Sequence, residues 1–522
     1  MRKVLWVVAV GALVFAMAAP AMALDFKFGA EYRVRFTTGV NVTSPQRVFI
    51  DETGSNPRSI HLRVRPRFDV SDDNGNIQAT LRLEIGDVEF GNGGGASAET
   101  NGVSLSGGSA RVGNGSGGGF GNDGVNVETK WAYIDWAMPF GIPLRVRAGA
   151  QPWFLPKGLL VDDDVYGVRA YGTVKPVSYE AFWYRLNGGP QTNAASQTKN
   201  RLCIGEDGIV FESTNGQCFE GETPKDVLTA VTVAGNAVAT SNLFDNNYDI
   251  YGGKLDVAIM PWLNPGIYYI YADNRVNCTV GGACPGQDRV RVGHYGGVTV
   301  TGKVGIVSYD ADFVYGQAEG GPTGAFPTAA APVKTKGWAA DAAVHFPIGP
   351  VTINFAGSYA TGDKRNGGDS EAFPSLAASW NGPGGGFEMI GSGGPFDQVE
   401  YTQDSPVNLW TVGGWATYNP VKALTLKAGA AYAGFTQKNG NCANTGFPAS
   451  QPCFGPSYVR LSNQPVPAGG NGSAKGALGV EAHLRADYEI WTGFKLQAQA
   501  GWLIPSDGDT AAEYVFQMYY NF

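Results

Sequence analysis

The stretch 59–70, SIHLRVRPRFDV, alternates apolar and polar side chains with a period of two residues. Its apolar face runs from Ile60 to Phe68. Its other face carries three arginines at alternate positions: Arg63, Arg65 and Arg67. A period of two is that of a β-strand. A strand with one basic and one apolar face suits a nucleic-acid surface, an anionic membrane surface or the wall of a water-filled passage.

The same alternation recurs along the whole chain, and helical periodicity is rare. We count eighteen such segments, which begin near residues 26, 60, 76, 125, 144, 165, 177, 248, 266, 290, 304, 336, 351, 407, 424, 474, 494 and 512. Four of them alternate poorly, namely 125–136, 177–186, 266–273 and 290–301. Sixteen strands are therefore also compatible with the pattern.

The connections between these segments alternate between short and long. The short ones lie at 71–75, 138–143, 175–176, 260–265, 302–303, 347–350, 419–422 and 489–493, and the longest at 37–59, 89–124, 187–247, 362–406 and 436–473. A transmembrane β-barrel has tight periplasmic turns and long extracellular loops, with apolar side chains facing lipid and polar ones facing the lumen. The sequence therefore predicts an all-β, antiparallel, up-and-down transmembrane barrel.

The first 23 residues have the pattern of a secretory signal peptide. Arg2 and Lys3 precede an apolar run from Val4 to Ala19, and a small-residue site ends at Ala23. The apolar run is short for a membrane anchor. We expect cleavage after Ala23, which leaves residues 24–522 as a single barrel domain in the outer membrane of a Gram-negative bacterium.

Charge and aromatic residues agree with this assignment. The formal net charge is −8, which argues against a general nucleic-acid binder. Aromatic residues cluster near segment ends, as a membrane-interface girdle requires: Phe26, Phe36, Trp131, Trp136, Trp183, Trp338, Phe346, Trp410, Tyr418, Trp491 and Trp502. The chain ends AAEYVFQMYYNF, and a terminal strand that stops on Phe522 resembles the strand that the outer-membrane assembly machinery recognises in barrel proteins.

Arginines on the lumen faces of the first six segments are the candidate site residues. They are Arg33, Arg35, Arg63, Arg65, Arg67, Arg82, Arg145, Arg147 and Arg169. Because like charges repel, they need water or carboxylates nearby, and Glu31, Glu84 and Glu128 are candidates. The acidic run Asp162, Asp163 and Asp164 lies in the third external connection. Arginines facing an acidic inward loop would filter solutes by charge; alternatively, they only solvate a wide lumen.

Six cysteines form three pairs that are close in sequence: Cys203 with Cys218, Cys278 with Cys284, and Cys442 with Cys453. Each pair lies within one predicted external loop, so local disulfides are expected in an oxidising location. Reduced thiols or a metal site remain the alternative.

Sequence motifs for catalysis or cofactor binding are weak. Gly113, Gly115 and Gly118 fit GxGxxG, but they lie in a glycine-rich run without a strand-to-helix context. There is no HExxH, GxSxG or phosphate-binding GxxxxGK motif. We therefore expect no enzyme activity, no cofactor and no metal.

Three stretches resemble a known family: LRLEIGD (81–87), GVNVETKWAYIDW (124–136) and LRVRAGAQPWFLPKGLLVDDDVYGV (144–168). They are similar to the homotrimeric outer-membrane porins of anaerobic Gram-negative bacteria, in which a basic residue usually stands at the position of Trp131. The match covers roughly residues 60–170, and the middle of the chain matches only in layout. The resemblance implies a homotrimer and a passive, water-filled channel for small hydrophilic solutes and ions.

The predicted function is therefore a diffusion porin. One alternative is a substrate-specific barrel channel for anionic sugars or polysaccharide, for which a row of arginines is suited. Another is a non-conducting structural or adhesive surface barrel. The expected partners are outer-membrane lipid, two further copies of the chain and the assembly machinery, and no nucleic acid.

Overall fold

A computed structural model describes residues 24–40, 58–90, 127–187, 201–204, 210–213, 223–225, 232–233, 236–237, 248–274, 290–320, 333–362, 371–376, 380–387, 389–391, 406–437, 477–505 and 510–522. Eighteen strands form one sheet. They are β1 (Leu24–Val40), β2 (Arg58–Asp72), β3 (Ile77–Glu89), β4 (Val127–Ala137), β5 (Arg145–Phe154), β6 (Asp162–Val174), β7 (Val177–Asn187), β13 (Tyr248–Val257), β14 (Asn264–Asn274), β15 (Val290–Val304), β16 (Val307–Gly320), β17 (Val333–Ile348), β18 (Val351–Ala360), β19 (Leu409–Val421), β20 (Leu424–Phe435), β21 (Ala477–Trp491), β22 (Phe494–Pro505) and β23 (Ala511–Asn521).

Five short strands follow β7 in the chain. They are β8 (Arg201–Ile204), β9 (Val210–Ser213), β10 (Thr223–Lys225), β11 (Thr232–Val233) and β12 (Asn236–Ala237). The first three form one small antiparallel sheet, and the last two form another.

The large sheet closes on itself. Each of its strands pairs antiparallel with its neighbour in sequence, β7 pairs with β13, and β23 pairs with β1. The closing seam runs from Glu31 opposite Asn521 to Val40 opposite Ala512. A closed ring leaves no strand edge unpaired, as a sheet within lipid requires. The prediction of an eighteen-stranded antiparallel barrel is confirmed, and the sixteen-stranded alternative is wrong.

Short turns lie at one end of the barrel and long connections at the other. One predicted turn, at 302–303, is displaced, because β15 continues to Val304, which pairs with Val307. The observed turn contains Gly305, whose φ of +60° suits a residue without a side chain. None of the helical segments in the described ranges is long and apolar enough to cross a membrane.

The two faces of each strand differ as the alternation predicts. On β1, Phe28 and Tyr32 are exposed on the outside, whereas Arg33 and Arg35 are buried on the inside. On β23, Phe516 is exposed, and its neighbour Gln517 is fully buried. An apolar outside and a polar inside are what a barrel in lipid with a hydrated lumen requires.

An apolar core occupies part of the barrel interior. It includes aromatic and aliphatic side chains from the inner faces of β7 and β13–β16, such as Tyr184, Ile250, Ile270, Tyr295 and Val314. These strands have an apolar inner face because two chain segments fold into the barrel and pack against it. The core therefore lies on one side of the lumen.

Candidate functional site

Six arginines line the inner wall formed by β1–β3: Arg33, Arg35, Arg63, Arg65, Arg67 and Arg82. The strand register sets Arg33 opposite Arg63, and Arg67 opposite Arg82. Adjacent like charges repel strongly where water is scarce, so this wall requires nearby anions. We call these six residues the arginine wall.

Two glutamates supply the negative charge. Glu31 on β1 lies 3.1 Å from Arg63, 3.2 Å from Arg82 and 3.7 Å from Arg65, measured between nitrogen and oxygen atoms. Glu84 on β3 accepts a hydrogen bond of 2.7 Å from Arg65 Nε and lies 3.9 Å from Arg63. The sequence suggested both partners. Asp69 on β2 adds a third carboxylate, which accepts hydrogen bonds of 2.7 and 3.1 Å from Arg67, and six arginines around three carboxylates leave a net positive wall.

A β-bulge extends this network to β4. The register between β3 and β4 shifts after Arg82, which faces Trp131, whereas Leu83 faces Thr129. The extra residue, Lys130, lies 2.7 Å from Asp164 and 3.7 Å from Glu84. Bulges commonly redirect a side chain in this way. Strict alternation would have placed Lys130 on the lipid face, so the sequence did not identify it.

Trp131 also faces the interior, contrary to its predicted place in the aromatic girdle. Its indole Nε1 donates a hydrogen bond of 2.7 Å to Asp164. The guanidinium of Arg82 lies 4.5 Å from the ring centroid, a cation–π distance. An aromatic residue here is held by the charges around it rather than by the membrane interface.

Asp135 organises a second charged group, on β4–β6. This buried carboxylate accepts hydrogen bonds of 2.7 Å from Arg145 and 2.8 Å from Arg147, and Tyr171 also donates to it. Arg169 lies 3.6 Å from Glu180 on β7. All nine predicted arginines thus lie on neighbouring inner faces from β1 to β6.

The connection from β5 to β6 folds into the barrel. It contains a 3-10 turn at Pro156–Gly158 and a row of fully buried apolar residues from Leu159 to Val161. We call residues 155–161 the first inward segment. It packs in the apolar core with Tyr184, Ile250 and their neighbours.

The acidic run was predicted to lie in that connection, but in the structure it lies in the sheet. Asp162, Asp163 and Asp164 begin strand β6 and pair with residues 152–154 of β5. Asp164 contacts Lys130 and Trp131 on the same wall as the arginines. The inward segment is therefore apolar rather than acidic, because the hairpin register carries the acidic run into the sheet.

Lys157 is the single charged side chain of the first inward segment. It pairs with Asp310 on β16, and its Nζ lies 3.6 Å from Asp341 Oδ1 on β17. Burial lowers the pKa of Lys157, an effect that the charge of Asp341 opposes. Lys157 also borders a cleft of about 430 Å³, whose lining includes Lys254 and Asp310.

A second segment enters the barrel from the connection between β18 and β19. Its described residues are 371–376, 380–387 and 389–391, and Phe373, Trp380, Phe387 and Ile390 among them are buried. We call it the second inward segment. The sequence left this stretch as an external loop, although small inner-face residues such as Ala343, Ala356 and Gly413 indicate that something packs closely there.

The two segments cover one side of the lumen only. Their contacts lie on β7 and β13–β21. Leu503 on β22 and Val515 on β23 belong to the same apolar core. The arginine wall lies on the opposite side, where Arg63 and Arg67 keep side-chain exposures of 15% and 41%, whereas Arg33 and Arg35 are buried. The charged residues therefore border the part of the lumen that the segments leave uncovered.

Several predicted features lie outside the described residues. These are the signal peptide, residues 1–23, and the side chains of all six cysteines: Cys203, Cys218, Cys278, Cys284, Cys442 and Cys453. Their pairing stays a prediction. Within the described ranges, the structure contains no group of three or more side chains that could hold a metal ion.

Comparison with protein families gives one match. Residues 223–452, less than half of the chain, match the family described as a porin subfamily. The matched range runs from β10 to beyond β20, whereas the sequence resemblance noted above concerned residues 60–170. The match agrees with the porin prediction. No curated protein sequence matches the chain.

Solved structures give fold-level likenesses. Pseudomonas aeruginosa OccK5 (OpdH) is 12% identical, with a TM-score of 0.48. The P. aeruginosa outer membrane protein opdK is 10% identical, with a TM-score of 0.46, and Acinetobacter baumannii OccAB4 is 9% identical, with a TM-score of 0.47. Each alignment covers 95% of this chain and 98% of the other. Because these TM-scores are below 0.5, the assignment of the barrel rests on the strand pairing described above.

Proposed function

We propose that this chain is a porin: a transmembrane barrel with a water-filled channel for passive diffusion of small hydrophilic solutes and ions. The observation that carries the proposal is the uncovered charged wall inside a closed barrel with an apolar outside. Charged side chains are stable inside such a barrel when water or counter-charges surround them. Eighteen strands enclose a lumen wide enough for an aqueous channel, and the two inward segments narrow it.

Selectivity for anions is the second candidate, and one observation favours it. The arginine wall and Lys130 carry seven positive charges, and four carboxylates pair with them (Glu31, Glu84, Asp69 and Asp164), so three positive charges are in excess. Rings or rows of one charge at a constriction select ions of the opposite sign. A small organic anion such as a sugar acid is therefore the favoured solute of a selective channel.

Location and assembly belong to the same proposal. We place the barrel in the outer membrane of a Gram-negative bacterium, reached through a cleaved signal peptide. We propose a homotrimer on the strength of the sequence resemblance alone. Chemical cross-linking of the folded protein in mild detergent tests the trimer, and a ladder that stops at the monomer contradicts it.

Planar-bilayer recording of the purified, refolded protein tests the channel. We expect stepwise conductance increments that grow in proportion to bulk salt for a diffusion porin. Saturation by one organic anion would favour the selective channel. If a folded barrel inserts without any conductance step, the porin proposal fails, and a structural or adhesive barrel takes its place.

The arginine wall gives the first mutational prediction. Replacing Arg63, Arg65 and Arg67 by Ser leaves Glu31 and Glu84 without these cations, so we expect the channel to shift towards cation preference. The reversal potential in a KCl gradient measures this shift.

A matched control is Lys334→Ser. Lys334 is an exposed residue of β17, adjacent to the buried Thr335, and it pairs with Glu319 at 3.3 Å on the outer face. The Lys334→Ser substitution should leave the reversal potential unchanged. If the triple variant also keeps the wild-type potential, the arginines only solvate the wall.

A further inference from the structure

Asp341 is a buried carboxylate at the place where the two inward segments meet. It is 1% exposed on the inner face of β17. Its oxygens accept hydrogen bonds from Trp380 Nε1 at 3.1 Å and from the backbone N–H of Gly384 at 3.0 and 3.1 Å. Lys157 Nζ lies 3.6 Å from Asp341 Oδ1. Trp380 and Gly384 belong to the second inward segment, and Lys157 belongs to the first.

The barrel itself does not need this side chain. The backbone of Asp341 pairs with Asp312 on β16 and with Ser358 on β18, so the sheet is complete without the carboxylate. A buried carboxylate is costly unless hydrogen bonds and an opposite charge offset its loss of water. In the described part of the chain, the groups that offset this cost come from the two inward segments.

Each inward segment also has contacts with the barrel wall away from Asp341, and these contacts involve one segment at a time. The second segment is also held by Lys427, which donates to the carbonyl of Gly386 at 2.7 Å, and by Glu481. Glu481 accepts hydrogen bonds from the backbone N–H groups of Met389 and Ile390 at 3.1 and 2.7 Å. The first segment pairs with Asp310, which His345 contacts at 2.8 Å. Among these wall residues, Asp341 contacts both segments.

We propose that Asp341 is a positioning residue that seats both inward segments, so that the width of the passage depends on this one carboxylate. The inference rests on the proposed channel function. Asp341→Asn removes the negative charge beside Lys157, which then has Asp310 as its close partner, and Asp341→Ala also removes the acceptor of Trp380 and Gly384. Each segment keeps its separate attachments, so we expect both to leave their bound positions more often rather than permanently.

The size of the effect follows from the burial. Lys157 keeps Asp310 as a partner, so the loss of the second anion should raise the equilibrium constant for leaving the bound position by about tenfold, the effect of one hydrogen bond or contact to a charged group. The lowered pKa of Lys157 agrees with this, since burial disfavours its charged form and Asp341 opposes that effect. A segment that leaves the wall enters the passage for a time, so its release is visible as flicker between conductance levels.

Single-channel recording of Asp341→Asn and Asp341→Ala tests the proposal in the full-length barrel. We expect frequent transitions between conductance levels, while the protein still shows the gel-mobility shift of a folded barrel on heating. Trp380→Phe removes the indole N–H together with the pyrrole part of the buried ring, should give the same change to a smaller extent, and serves if the Asp341 variants do not fold.

Asp312→Asn is the matched control. Asp312 is opposite Asp341 on β16, is equally buried at 2%, and hydrogen-bonds to Tyr268 on the barrel wall at 3.1 Å. Asp312 acts on Lys157 through its charge, but its described hydrogen bond is to the barrel wall, so its neutralisation should disturb the current much less than that of Asp341. If Asp341→Asn is as steady as Asp312→Asn, the proposal is overturned.

Because Asp341 contacts both segments, the effects of substitutions at Lys157 and Asp341 should not be additive. Lys157→Met and Asp341→Asn should together increase the transition frequency far less than the product of their separate effects, because both remove the same contact. Multiplicative effects would mean that the segments are seated independently. If the wild-type barrel gives no channels at all, the porin proposal fails first, which distinguishes that outcome from failure of this inference.

Discussion

Glu31 shows how a single side chain makes a basic wall compatible with folding. Arg63, Arg65 and Arg82 come from two strands, and each lies within 3.7 Å of its carboxylate. At such separations, unscreened arginines would repel one another. Glu31 is thus the residue through which the arginines of β2 and β3 are held against β1.

We predict that Glu31→Gln lowers the stability of the barrel and strengthens its anion preference. Loss of the hydrogen bond and ion pairs to charged partners should reduce the free energy of unfolding by about 1–3 kcal/mol. Urea unfolding in detergent micelles measures the first effect, and the reversal potential measures the second.

Glu128→Gln is the control for the stability effect. Glu128 lies on the neighbouring strand β4 and is exposed, so its neutralisation should change the free energy of unfolding little. Equal destabilisation by the two variants would contradict the role assigned to Glu31.

At the scale of elements, the second inward segment is fitted to the barrel wall by its glycines. Gly384 has a φ of +64°, and a Cβ atom placed there would lie 2.6 Å from the Cβ of Ala356. Gly385, the next residue, has a φ of +68°, but a Cβ atom there would meet no atom within 4 Å. The two positions share the backbone conformation and differ in the space around them.

This pair separates backbone strain from close packing. We predict that Gly384→Ala displaces the segment from the wall into the passage and lowers the single-channel conductance, because the added methyl group overlaps the wall. Gly385→Ala carries a similar backbone penalty without the overlap, so its conductance should stay near that of the wild type. Equal conductance of the two variants would show that the segment does not pack against Ala356 in the open channel.

For the whole molecule, the closure between β1 and β23 determines whether the sheet is a barrel. The last residue completes the seam: Ala30 N donates to Phe522 O at 3.1 Å, and Phe522 N donates to Ala30 O at 3.2 Å. The ring of Phe522 lies 5.7 Å from Phe28, 5.3 Å from Tyr520 and 6.2 Å from Tyr32, between centroids. These contacts lie on the outside, where lipid would otherwise touch the seam.

We predict that Phe522→Ala impairs closure. Each aromatic pair contributes about 0.5–1.5 kcal/mol beyond its buried area, so the loss of three pairs should reduce the folded fraction in refolding at limiting detergent. The folded fraction is measured as the share of protein that migrates as a folded barrel in unheated gels. Phe516→Ala, on the same strand and with one aromatic contact, to Phe36, should have a smaller effect, and the reverse order would contradict the prediction.

The sequence by itself determined the class of fold and the faces of most residues, and it left the number of strands at sixteen or eighteen. Alternation with a period of two is a local property, so it reveals that Arg63 and Arg65 face away from lipid before any partner is known. The short and long connections are equally visible in the chain. The pairing of Glu31 and Glu84 with the arginines followed from charge alone.

Only the tertiary structure decided the features that depend on distant parts of the chain. The bulge that turns Lys130 inward arises from the register between β3 and β4, which alternation in one strand does not encode. The same holds for Asp162, which hairpin pairing draws into β6. Asp341 is one charged residue among many in the sequence. It acquires its role because the first and second inward segments, far apart in the chain, meet at its carboxylate.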